Sequence, residues 1–156
     1  MAGTVHRYQA RCRWSGTTGR GYEDYDRTHE GGVAPSGAAL ALSADPAFLG
    51  DPALLNPEQL VLLAAASCQL LSFLASAARS GVDVRAYEDD AEAEMPEDDE
   101  PVRITRIVLR PRIEVAAGTS ESLVRRLVAK AHDNCYVANT LRCTIEVEPV
   151  ISFTAG

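Results

Sequence analysis

At 156 residues, 46% hydrophobic and 24% charged, the chain has the size and make-up of one ordinary globular domain, which excludes a disordered, collagen-like or coiled-coil protein. Its net charge of −7, from 22 acids and 15 bases, argues against a nucleic-acid or anionic-membrane partner. A chain of this length buries a core without disulfide or metal staples.

His6 to Trp14 alternates, with Tyr8, Ala10, Cys12 and Trp14 on one face, and predicts a half-buried strand. Tyr22 to Glu30 predicts a second strand, broken by Gly31 to Gly37. Ala38, Leu40 and Leu42 predict a short third strand, and Ser43 to Leu55 a connecting loop. Asn56-Pro57 then opens a helix, because Asn suits the N-cap and Pro tolerates the first helical position. From Leu60 to Ala78 the run is apolar on nearly every side, and Gly81 is its natural stop. Its length approaches that of a bilayer span. Its many Ala and Ser residues, the missing aromatic belt and cationic flank, and the amphipathic strands on both sides argue instead for a buried central helix.

Val82 to Met95 and Arg103 to Val115 predict two strands joined by an acidic turn containing Pro96. Nine carboxylates lie between Glu88 and Glu100; setting them aside, 13 of the 22 acids remain against 15 bases, a net charge of +2. The acidity therefore belongs to one solvated turn, and its spacing lacks the D-x-D-x-D-G pattern of a calcium loop. Ser120 to Asp133 predicts an amphipathic helix, Asn134 to Asn139 a break or short helix, and Arg142 to Val150 a last strand. This order indicates a single α+β domain over residues 1–156 with mostly antiparallel sheets.

Four cysteines, Cys12, Cys68, Cys135 and Cys143, form neither a C-x-x-C nor a zinc spacing. Met1 to Trp14 lacks an apolar signal segment, so the expected compartment is a reducing cytoplasm. Cys12 and Cys143 fall on apolar strand faces and read as structural. Cys68 lies midway along the apolar helix, where a buried thiol is unreactive unless its thiolate is stabilised. Cys135 follows the second helix. His6, His29 and His132 make no ligand set, and Trp14, Tyr22 and Tyr25 either line a pocket or pack.

Asn56-Pro57-Glu58-Gln59-Leu60, the Ala-rich stretch and Ser67-Cys68, followed by Ala131-His132-Asp133-Asn134-Cys135-Tyr136-Val137-Ala138-Asn139, resemble the two cysteine motifs of the OsmC/Ohr family, and the order of elements matches along essentially the whole chain. The resemblance implies an intertwined homodimer, with antiparallel sheets wrapped around the central helix. It implies a thiol-dependent peroxidase acting on organic hydroperoxides or hydrogen peroxide, with no metal or organic cofactor and with a thiol or dithiol as reductant. By position, Cys68 is the expected peroxidatic thiol, Cys135 the resolving thiol, and Glu58 the acid that holds an active-site Arg. Arg20, in Thr18-Gly19-Arg20-Gly21, matches that Arg best, with Arg27 as rival.

A disulfide-forming pair requires Cys68 and Cys135 to be neighbours within one subunit. Glu58 and Cys68 are ten residues apart, about 15 Å along a helix, so a Glu58 serving that thiol comes more naturally from a partner's helix. Two rival readings remain: a binding protein that keeps the pocket for a small apolar ligand with little turnover, and a structural or stress-interaction protein whose thiols merely pack.

Overall fold

The computed structural model describes residues 3–155; residues 1, 2 and 156 of the expected domain lie outside the described residues. The chain divides into two compact units, one through Leu60 and one from Val61.

In the first unit, β1 (Gln9–Arg13), β2 (His29–Ala34) and β3 (Ala38–Leu42) form an antiparallel meander in the order β1-β2-β3. The second strand differs from the sequence expectation: Tyr22 to Asp24 is turn and Tyr25 a bend, and the strand begins at His29 and runs through Gly31 and Gly32. The glycine is there for space. A Cβ on Gly31 would stand 2.8 Å from Leu42 Cδ1, so the missing side chain lets Leu42 fold across the sheet and become buried. After β3 a short 3-10 turn, Pro46–Phe48, is capped by Asp45. Asn56 then starts helix α1 (Pro57–Arg79) through a reciprocal capping box: its side chain accepts from the Gln59 amide at 2.8 Å, and its own amide donates to Gln59 Oε1 at 3.1 Å.

The second unit holds most of α1. It also contains β4 (Val84–Asp89), β5 (Glu92–Glu94), β6 (Arg106–Leu109), β7 (Pro111–Val115), α2 (Glu121–Asp133), α3 (Tyr136–Thr140), β8 (Thr144–Val147) and β9 (Val150–Phe153). Gly81, at φ 69°, ends α1 in a left-handed turn, with the Val82 amide returning to the Ala77 carbonyl at 2.9 Å. Each long strand expected from the sequence is divided in two. At the break Pro111 has no amide to donate, and the free Arg110 amide is taken by Asp89 Oδ1 at 2.7 Å.

Two three-stranded sheets result, β4-β7-β9 and β5-β6-β8. The expectation of antiparallel pairing holds for β4/β7 and β5/β6 but not for β7/β9 and β6/β8, which are parallel. The crossover through α2 and α3 returns the chain in the direction it left, which a hairpin cannot do.

Phe73 and Ala77 of α1 pack with Ile113, Val115 and the apolar side of α2 (Val124, Leu127, Val128, Ala131), while Ala65 packs with Ile107 and Leu109. Only Ala65, Gln69, Phe73 and Ala77 of α1 are buried. The expectation of a helix buried on all sides is therefore corrected for the single chain. Leu63, Leu71 and Leu74 are 60%, 63% and 37% exposed, and with Ala64, Ser67, Ala75 and Ala78 they form an open strip along the helix. Many of these positions recur at alternating intervals of three and four, the spacing of a helix–helix seam.

The acidic run is not one solvated turn either. Its first members lie on β4, on β5 and between them, and are paired with arginines: Arg112 with Glu88 (3.2 Å) and Asp90 (2.7 Å), Arg110 with Glu92 (2.9 Å), and Arg106 with Glu94 (3.0 Å). Glu146 and Glu148 join Arg106 and Arg110 from the C-terminal side. These exposed pairs sit across neighbouring strands and favour their register more than they add stability.

Candidate functional site

Cys68 and Cys135 meet inside the second unit. Cys68 is half-buried on α1 beside the inward-facing Gln69, and Cys135 is 1% exposed at the N-cap of α3. Gln69 Nε2 donates to the Val128 carbonyl of α2 at 3.2 Å, tying the stretch of α1 that bears the thiol to the helix that leads to Cys135. All four cysteines are free thiols.

Burial pushes the Cys68 thiol up, but four donors outweigh it: the Val137 amide, the Cys135 thiol, the Tyr136 amide and the Ser72 hydroxyl hydrogen-bond to its sulfur and hold its pKa below the ordinary thiol value. The amides are available because the first residues of a helix have no intrahelical acceptor. Ser72 reaches the sulfur because it stands one turn further along α1. Cys135 moves the opposite way. Burial raises its pKa, and donation to Cys68 together with the charge of that neighbour raises it further. The pair is thus unequal, with Cys68 the more acidic thiol and Cys135 the less acidic.

The donors are largely ones that the sequence reading passed over. The resemblance implies an active-site Arg, whereas hydrogen bonds within the second unit already lower the Cys68 pKa. Ser72 was legible in principle, four residues beyond Cys68 on the same face. The Tyr136 and Val137 amides were not, since they depend on how the chain turns after α2.

The first unit contains a cavity of about 410 Å³, within the ordinary range for small-molecule sites. Arg27 and Glu58 both line it, with Trp14, Thr18, Tyr25, His29, Asp45, Phe48 and Pro57 among the other walls. Arg27 is 8% exposed. Its guanidinium donates to the Tyr25 carbonyl at 2.7 Å and the Tyr22 carbonyl at 2.6 Å, and lies 4.0 Å from the Tyr25 ring centroid and 4.8 Å from that of Tyr22. Trp14 packs edge-on to Tyr25 at 6.4 Å and donates to the Asp26 carbonyl at 2.7 Å, fixing the other side of the turn. Arg27 is held by neutral carbonyls and aromatic faces.

Arg20 is exposed on the preceding turn and does not line this cavity. Of the two candidate arginines, Arg27 is the one that shares this cavity with Glu58. Among the described residues no group of three or more His, Cys, Asp or Glu side chains is placed to hold a metal ion.

The arrangement defines a class, an α+β protein with two paired cysteines of unequal acidity between a long helix and a short one. A family profile described as OsmC-like protein matches residues 50–150, and the chain belongs to the OsmC-like family. Its fold superposes on an OsmC-like protein of unknown function from Vibrio cholerae O1 biovar eltor at a TM-score of 0.83 and 26% identity, covering 94% of this chain and 100% of that one. It also superposes on an organic hydroperoxide resistance protein OsmC from Legionella pneumophila (TM-score 0.71, 20% identity, 96% and 99% covered). A third similar structure is an organic hydroperoxide resistance protein from Elizabethkingia anophelis (TM-score 0.72, 16% identity, 97% and 99% covered). No curated protein matches the chain.

Proposed function

We propose that the protein is a thiol-dependent peroxidase that reduces organic hydroperoxides, with hydrogen peroxide as a second substrate. The observation that carries this reading is the Cys68–Cys135 pair, with one acidity lowered and the other raised. A peroxidatic thiol must be a thiolate to attack, and its resolving partner must be adjacent and protonated until needed.

In this reading the Cys68 thiolate attacks one peroxide oxygen. The O–O bond breaks, the departing alkoxide takes up a proton to leave as alcohol, and Cys68 becomes a sulfenic acid. The Cys135 thiol condenses with that sulfenic acid, forming a disulfide and releasing water. A dithiol reductant then exchanges with the disulfide, becomes oxidised itself, and restores both thiols. Arg27 is the proposed peroxide-polarising cation and Glu58 its companion, and the working unit is a homodimer. Four free thiols suit a reducing cytoplasm.

The test is stopped-flow oxidation of the reduced protein by cumene hydroperoxide and by hydrogen peroxide, with Cys68→Ser alongside. Rapid consumption that vanishes in Cys68→Ser supports the reading. A wild-type rate no faster than that of free cysteine overturns it. The second reading, a small apolar ligand bound with little turnover, draws on the aromatic-walled cavity around Arg27 and would then take precedence.

A further inference from the structure

Three of the four donors at the Cys68 sulfur, the Cys135 thiol and the Tyr136 and Val137 amides, come from a segment that has little regular structure of its own. The chain leaves α2 at Asp133, turns through Asn134 and Cys135, and enters a helix of only five residues. A turn this short holds two amides on one atom only if something fixes it at both ends.

Asn139 does this. Its Nδ2 donates to the Asp133 carbonyl and to the Cys135 carbonyl, each at 3.0 Å, and its backbone amide donates to that same Cys135 carbonyl at 2.9 Å. One side chain therefore ties the last residue of α2 to the first turn of α3, with the Cys135–Val137 segment enclosed between its attachments. Asn134, the residue that follows α2, offers a contrast: its side chain only caps the Lys130 carbonyl, at 2.7 Å, and bridges nothing beyond α2.

We propose that Asn139 is a positioning residue that keeps the Cys135 thiol and the Tyr136 and Val137 amides directed at the Cys68 sulfur. It touches neither sulfur through its side chain; it acts through the turn it clasps. Without the amide, the two carbonyls lose their shared donor, the turn relaxes, and the thiolate loses part of its donor set while Ser72 remains. The inference rests on Cys68 working as a thiolate but not on which oxidant that thiolate meets.

The experiment uses the reduced full-length protein and site-resolved iodoacetamide alkylation followed across pH by mass spectrometry, with a thermal melt of each variant. Asn139→Ala should move the Cys68 midpoint upward by roughly half to one pH unit, about three- to tenfold less thiolate at a pH below the midpoint, the scale expected for weakening hydrogen bonds to a charged group. Asn134→Ala should leave the midpoint in place. Should Asn139→Ala fail to fold, Asn139→Leu, close in shape and also without a donor, gives the same reading. An unchanged Cys68 midpoint in either folded Asn139 variant overturns the proposal, and so does an equal shift in Asn134→Ala, which would mean general loosening. A wild-type protein that consumes no peroxide would sink the peroxidase reading and leave this result standing.

Discussion

Cys135 donates a hydrogen bond to Cys68 across 67 positions of sequence, and the contact drives the two thiols apart in acidity, lowering Cys68 and raising Cys135. Two equivalent thiols would compete for one proton. Here the amides of Tyr136 and Val137 and the Ser72 hydroxyl break that equivalence, because all three point at Cys68. In the proposed peroxidase cycle this inequality favours attack by Cys68 and resolution by Cys135.

The sign of the pH dependence follows. A lowered pKa gives more thiolate at a given pH, so Cys68 should alkylate first, with a midpoint below the ordinary thiol value of about 8.5, and Cys135 should lag above it. Peptide mapping after brief iodoacetamide exposure at pH 7 reads this directly. Preferential labelling of Cys135 would reverse the assignment of the two sulfurs.

Ser72 supplies the one side-chain hydroxyl at the sulfur. Ser72→Ala removes a neutral donor to a charged acceptor, which should raise the Cys68 midpoint by roughly one pH unit and slow alkylation at neutral pH accordingly. Ser72→Thr retains the hydroxyl and should stay near wild type. Equal behaviour of the two variants would show that the hydroxyl does not matter.

Gln69 poses a different question, since its Nε2 reaches the Val128 carbonyl while its Oε1 is buried without a hydrogen-bond partner. Gln69→Leu forfeits one hydrogen bond and also removes an orphaned acceptor, so chemical denaturation should show a change within about 1 kcal/mol. Gln69→Ala leaves a void between α1 and α2 and should cost about 2 kcal/mol or more. A large loss in Gln69→Leu would mean that the bond to α2 outweighs the unpaired oxygen.

The Arg27 cavity separates the peroxidase reading's two cationic candidates. Arg27→Ala should lower the rate of hydroperoxide consumption roughly tenfold or more, because a fixed charge aimed at a developing oxyanion is among the larger catalytic contributions. Arg20→Ala should stay within about twofold of wild type, as expected for an exposed group outside the cavity. Stopped-flow rates for both variants decide between them, and a selective loss in Arg20→Ala would restore the original preference.

Parts of this were legible before any coordinates, because they depend on local chemistry. Asn56-Pro57 announces the start of α1, Ser120 the start of α2, and Gly81 the end of α1, each through backbone groups that need a particular neighbour. The burial of Arg27 against Tyr22 and Tyr25 was not legible, because it depends on how the turn after β1 folds back on itself. Gly31 and Gly32 read as a break because only the folded sheet shows Leu42 lying across Gly31. The parallel pairing of β8 and β9 depends on a crossover direction that periodicity does not encode. Likewise, an apolar position on α1 looks the same whether its own chain or another covers it.

That last ambiguity carries its own prediction. The open strip of α1 places Leu63, Leu71 and Leu74, 60%, 63% and 37% exposed, on one face of a helix whose opposite face is already packed. Fully burying a leucine stabilises by about 1.5–3 kcal/mol, so leaving such a strip in water is unfavourable, and a second copy laid along it would cover the same residues on both chains. A symmetric pairing doubles the effect of each substitution. Leu71→Arg places a charge at the most exposed of the three and should convert a dimer to a monomer in sedimentation or light-scattering measurements. Leu71→Met, which preserves the apolar volume, should remain dimeric. A wild-type protein that is monomeric at micromolar concentration would leave the strip to another partner and remove the dimer from the proposed mechanism.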